Sequence, residues 1–141
     1  MSFSRYTSKA MLNSLFGKTS DFGALASRPT IYVGLSSTTP TETGTNVTEP
    51  SGGAYARVVT APADWNVATD TDPPVIDNAN AITFPAATAD WLSAANLTYF
   101  VAYDAATAGN FLGRGVLTVA KPALSGDTPQ FAAGDLDWNL D

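Results

Sequence analysis

The chain has 141 residues, 45% of them hydrophobic and 11% aromatic, which suffices for one ordinary domain with a packed core and excludes a disordered chain. It contains no cysteine and no histidine, so disulfides, thiolate nucleophiles, the usual zinc sites and any Ser-His-Asp triad are excluded, and no enzyme, cofactor or metal site is expected. The net charge of −6 opposes a phosphate-backbone partner, and no apolar run approaches the ~18 residues that cross a bilayer, so neither nucleic acid nor membrane is expected as a partner.

Charged residues make up only 14%, against the ~25% typical of globular domains. The surface must then be built mostly from Ala, Thr, Gly, Pro, Ser and Asn, which suits contact with other subunits. The start, Met1 to Tyr6, has no apolar stretch of signal-peptide length, so the chain is expected to be soluble and made in a cytoplasm.

The segment Ser4–Gly17 reads as a short amphipathic helix, with Met11, Leu12, Leu15 and Phe16 as its apolar stripe. Ser2 or Ser4 is placed to cap it and Gly17 to end it. It either lies on its own domain as a lid or docks on a neighbour. Thr30–Ser36, after Pro29, is rich in β-formers and reads as a strand. Thr38–Gly53 is a long turn-rich loop and a candidate contact arm. Ala54–Thr60 is the next expected strand, and Ala61–Asn80 a second irregular stretch and second candidate contact.

Ala81–Phe84 is a short strand stopped by Pro85. Leu97–Asp104 is the strongest strand pattern. Ala105–Asn110 is the hairpin turn after it, and Phe111–Val119 returns as its partner, with Gly113 and Gly115 marking a bulge or close packing. Thr128–Ala132 and Leu136–Leu140 are the last strands; in the latter Leu136, Trp138 and Leu140 alternate with Asp137, Asn139 and Asp141. The expected fold is all-β, a β-sandwich or jelly roll of seven to eight short strands with one short N-terminal helix. The expected division is a helical segment at 1–17 and a single β-sandwich domain at 18–141.

Asp70 and Asp72 have the spacing that opens a calcium loop, but that motif's glycine and closing glutamate are missing, so a solvated turn is the expectation. Eleven aspartates make some glycosidase-like carboxylate pair inevitable by chance. Trp65, Trp91 and Trp138 could stack on sugars in a carbohydrate-binding module, although packing is the commoner use of tryptophan. Ala63-Asp64-Trp65 and Ala89-Asp90-Trp91 echo each other; each reads as a turn whose aspartate bonds local backbone amides while the indole buries. Ser51-Gly52-Gly53 lacks the lysine and the following helix of a phosphate loop.

Four stretches in order carry a wider pattern. They are Thr30–Leu35 with Thr39-Pro40-Thr41 and Gly52–Val58; Ile82–Trp91; Phe100–Asn110 leading to Leu112 and Gly115; and Gly126-Asp127 with Phe131–Gly134 and Leu136. Together they resemble a family of small proteins of tailed bacteriophages, often labelled tail-fibre-like, with a longer Thr60–Asn80 segment in this chain. The resemblance implies a virion structural protein. The expected role is a capsid decoration (cement) protein on the head surface, a homo-oligomer with trimer favoured, bound to the major capsid protein. A tail-associated, tail-fibre-like protein is the first alternative and a carbohydrate-binding module the second.

Overall fold

The computed structural model describes residues 3–19, 23, 25 and 27–140. Those residues form one helix, α1 (Arg5–Leu15), and eight strands: β1 (Ile31–Ser36), β2 (Val58–Thr60), β3 (Val75–Asp77), β4 (Ile82–Thr83), β5 (Leu97–Tyr103), β6 (Phe111–Lys121), β7 (Gln130–Phe131) and β8 (Asp137–Asn139). Every pairing is antiparallel, so the fold is all-β with a single short helix, as expected. The strands are arranged as a four-stranded sheet, β2-β1-β5-β6, and two ribbons, β3-β8 and β4-β7. Contacts group the chain into two compact units, one of residues 1–29, 61–81 and 132–141, the other of residues 30–60 and 82–131. Among the described residues no helix is long and apolar enough to cross a membrane.

In the second unit β1 and β5 lie at the centre of the four-stranded sheet, where Val33, Leu35, Phe100, Val101 and Ala102 are each no more than 2% exposed. A strand covered on both faces needs an apolar run, which Leu97–Tyr103 supplies. The β5–β6 hairpin is closed by Asp104, whose carboxylate accepts from the Asn110 amide N–H (2.6 Å) and side chain (2.7 Å). These bonds hold the Asp104 carboxyl below the usual carboxylate range. Both glycines of β6 have the expected role. Leu112 is the extra residue of a bulge, since Ala102 faces Gly113 while Tyr103 faces Phe111. At Gly115 the Phe100 ring occupies the space a Cβ would need.

Strand β2 is shorter than the expected Ala54–Thr60. Gly52, Gly53 and Ala54 all have positive φ (83°, 57° and 61°), and this turn keeps Tyr55 out of the ladder. The Tyr55 ring instead packs with Trp91 (5.0 Å, edge-on) and Phe84 (6.2 Å), and Phe84 meets Phe131 (6.0 Å) beside the β4-β7 ribbon. Trp91 donates its indole N–H to the Gly53 carbonyl at 2.8 Å and its backbone N–H to Ala123 at 2.9 Å. Immediately after it Leu92, Ser93 and Ala94 form a left-handed turn (φ 51°, 53° and 64°), a conformation that L-residues resist.

In the first unit Ser4 caps α1 by accepting the Thr7 N–H at 3.2 Å; Ser2, the other candidate, lies outside the described residues. Gly17 (φ 73°) follows the last turn. Leu12 and Phe16 are buried as expected, but Met11 is 38% exposed, and Ser8, Asn13 and Ser14 complete the buried face. Polar groups tolerate that burial when they are bonded; Asn13 Oδ1 accepts the Ala68 N–H at 2.8 Å. Phe16 meets Trp65 (4.6 Å between centroids) and Trp138 (5.9 Å) in an aromatic cluster, so the helix packs on its own chain.

Strand β3 lies inside the stretch read as irregular. Three residues after Pro73-Pro74 carry too little periodicity to announce a strand, and their partners, β8 on one side and Asn66 and Thr69 on the other, come from tertiary contact. Asn78 follows, fully buried and fully used. Its side chain donates to Asn80 (2.8 Å) and Ala132 (2.7 Å) and accepts from Leu136 (2.8 Å), stitching 78–80 to 132–136. The last strand alternates as expected through Asn139; Asp141 lies outside the described residues.

Candidate interaction surface

The Thr38–Gly53 arm is a folded structure held by its own hydroxyls. Ser36 Oγ accepts the N–H groups of Thr38 (3.2 Å) and Thr48 (3.1 Å) and donates to the Thr38 carbonyl (2.8 Å). Thr38 Oγ1 donates to the Asn46 carbonyl (2.6 Å), and Asn46 donates to the Thr39 carbonyl (2.8 Å). Threonine and asparagine abound here because short polar side chains satisfy backbone groups that no ladder reaches.

The arm returns to the sheet at Glu49. Arg57 grips the Glu49 carboxylate with Nε (2.9 Å) and a terminal nitrogen (2.8 Å), while its other nitrogen donates to the Ala105 (3.0 Å) and Ala108 (2.8 Å) carbonyls. Its guanidinium lies 3.5 Å from the centre of the Tyr103 ring. The Arg57 and Glu49 side chains are 9% and 18% exposed. Burial disfavours the Arg57 cation, but the bonds and charge of Glu49 outweigh it and hold its pKa above the usual value. The Tyr55 hydroxyl donates to Glu49 and accepts the Leu35 N–H, a group of β1 beyond the reach of β2. Burial, reinforced by the Glu49 charge, raises the Tyr55 pKa so that the phenol stays protonated. All of this fits only because residue 34 is glycine, as a Cβ there would lie 2.5 Å from Glu49 Oε1.

Outside the staple a shallow depression of about 620 Å³ opens between the arm and the sheet. It is lined by Ser37, Thr38, Thr39 and Asn46 of the arm, Thr98 and Tyr99 of β5, and Val116, Leu117 and Ala120 of β6. Its cause is a second register shift: Leu97 faces Lys121 while Tyr99 faces Val116, so Leu117–Ala120 oppose Thr98 alone. Beyond it β6 is an edge of the sheet, with Val116 67% and Val119 60% exposed.

The first unit offers a different surface. Among the described residues β8 has a ladder partner on one side only. Asp77 and Asp137 are direct cross-strand partners, with Asp135 beside them. Burial first, then the charges of Asp77 and Asp135, raise the Asp137 pKa. The folded chain therefore holds that proton more tightly than the unfolded chain, and stability falls as pH rises through the window between the ordinary and the raised value. Asp137→Asn, which never ionises, is expected to raise the urea midpoint at neutral pH and to match the original chain well below the carboxylate range.

The other expected sites are placed as follows. Trp65 and Trp91 are 1% and 2% exposed, so neither presents a face for sugar stacking, and each anchors a core. Both indoles of the Asp-Trp echo are buried as expected, and Asp64 accepts the local Ala61 N–H at 2.8 Å, but Asp90 accepts the Ser125 N–H at 2.8 Å, an amide from a distant segment and not from its own turn. Asp70 lies 3.6 Å from Arg5 and 3.8 Å from Lys9, two cations where a calcium loop would need anionic ligands. The Ala61–Asn80 stretch buries Trp65, Ala68, Ile76 and Asn78, so much of it is core. The Glu49–Arg57 staple was missed from sequence, since residues eight apart on a loop and a strand carry no recognisable spacing.

A family model described as podophage GP4 fiber I protein gp80 matches residues 2–139. No curated protein matches the chain.

Proposed function

The chain belongs to the podophage fiber I protein family gp80, a phage virion family, and from that premise we propose that it is a non-enzymatic structural subunit of the phage's fibre apparatus. The match over nearly the whole chain carries this reading. The low charge, 14%, and the pinned arm support it, since a surface of threonine, serine and alanine is cheaper to desolvate against another subunit than one of lysine and glutamate. The subunit acts as a homo-oligomer, with a trimer as the expected form, and its partners are other virion proteins.

The head-surface reading is the second, carried by small size and acidity: a decoration protein bound to the major capsid protein would stabilise the shell by favouring the assembled state. Gold-labelled antibody on intact particles tests both. Label on the tail fibres is expected; label spread over the head would replace the fibre reading with decoration, and unlabelled particles would remove both.

A further inference from the structure

Among the described residues β6 and β8 each have a strand neighbour on one side only, and the two carry opposite charge. β6 is the longest strand and ends the four-stranded sheet. Of the second unit's three cations Arg57 is used internally, and the other two, Arg114 and Lys121, both lie on β6 beside the exposed Val116 and Val119. The strand has no acidic residue; Glu42 of the arm is 3.2 Å from Arg114 and largely exposed. β8 is the open edge of the other ribbon; Asp137 lies on it opposite Asp77, and Asp135 stands in the turn two residues before it.

We propose that the β6 edge of one copy receives the β8 edge of a second copy, so that the chain assembles head to tail. An open, exposed edge is a template for pairing with another chain, and bulges and lysine are the usual means of blunting it. Here the lysine finds its counter-charge on the incoming strand. Charge decides the mode. Pairing β6 with β6 would crowd Arg114 and Lys121 against the same cations, and β8 with β8 would crowd aspartates already in mutual repulsion. A contact between unlike patches is heterologous and leaves one free edge at each end, which further copies extend or close into a ring. The inference goes beyond the fibre reading, and its test uses the purified full chain, so it stands or falls separately from the labelling of particles.

Sedimentation velocity over a concentration series provides that test. The original chain is expected to associate at low salt and to dissociate at about 0.5 M salt, where charges are screened within a few ångströms. Asp137→Lys and Lys121→Asp are each expected to weaken association about tenfold or more. An equimolar mixture of the two is then expected to recover association, because the original Lys121 and Asp137 meet at one junction and the two exchanged charges attract at the other. Asp137→Asn and Lys121→Gln, which only neutralise, shift association in the same direction, and far-UV circular dichroism checks folding. A chain that stays monomeric throughout, variants that associate like the original, or a mixture that stays monomeric would overturn the proposal.

Discussion

Trp91→Ala is expected to lower the stability of the second unit by about 4 kcal/mol, in the range for emptying an aromatic site in a core. The indole is 2% exposed and lies edge-on to Tyr55 (5.0 Å) and Phe84 (6.4 Å), so its removal leaves a cavity between rings that are themselves fixed. The Gly53 carbonyl also loses its 2.8 Å donor. A second consequence is local. Leu92, Ser93 and Ala94 keep their left-handed backbone only while Trp91 anchors the start of the turn, so amide exchange in 92–95 should rise before global unfolding. Trp91→Phe, which fills most of the space without the donor, should recover over half the loss. Urea denaturation and hydrogen exchange measure both effects; an alanine variant within about 1 kcal/mol of the original would show that the site collapses and that the cluster is not what holds the unit.

Arg57→Ala is expected to cost about 3 kcal/mol, because it strands the mostly buried Glu49 carboxylate and takes the donors from two carbonyls of the 105–108 turn. Most of the effect should appear in the arm. Glu49 is the point at which the arm meets the sheet, so protection of the 38–53 amides should fall further than that of β1 or β5. Arg57→Lys keeps the charge but loses the fork and the flat face over Tyr103, and should fall in between. A double-mutant cycle with Glu49→Gln then isolates the pair. If Arg57→Ala leaves arm exchange unchanged, the threonine and serine hydroxyls alone fix the arm.

The consequence for function is that the arm is a preformed surface. A loop already folded loses little entropy on binding, which favours a structural contact between subunits. The hydroxyl-lined depression at its base exists because four residues of β6 oppose one of β5, so its shape belongs to the strand register and not to any single side chain.

Much of this was legible in the sequence, for local reasons. The period-two pattern of Leu136–Leu140, the apolar run of Leu97–Tyr103 and the Gly109-Asn110 turn each depend on neighbouring residues, and each strand or turn forms where its pattern lies. The absence of histidine and cysteine narrowed the chemistry, and the four ordered motifs pointed to a phage virion family. Tertiary structure decided what no short window contains. β3 became a strand because β8 and residues 66–69 flank it, although its own three residues are unremarkable. Asn78, an ordinary surface residue by type, became a core hub because two backbone groups far along the chain, the Ala132 carbonyl and the Leu136 N–H, needed partners beside the Asn80 carbonyl. The sugar-stacking use of Trp65 and Trp91 failed for the same reason: an indole shows the same letter whether exposed or enclosed, and only the packing of Phe16, Tyr55 and Phe84 around them settles which. Sequence thus determined what each segment can become by itself, through side-chain periodicity and turn chemistry; the tertiary structure decided which polar groups are buried together, because burial is a property of contacts between distant segments.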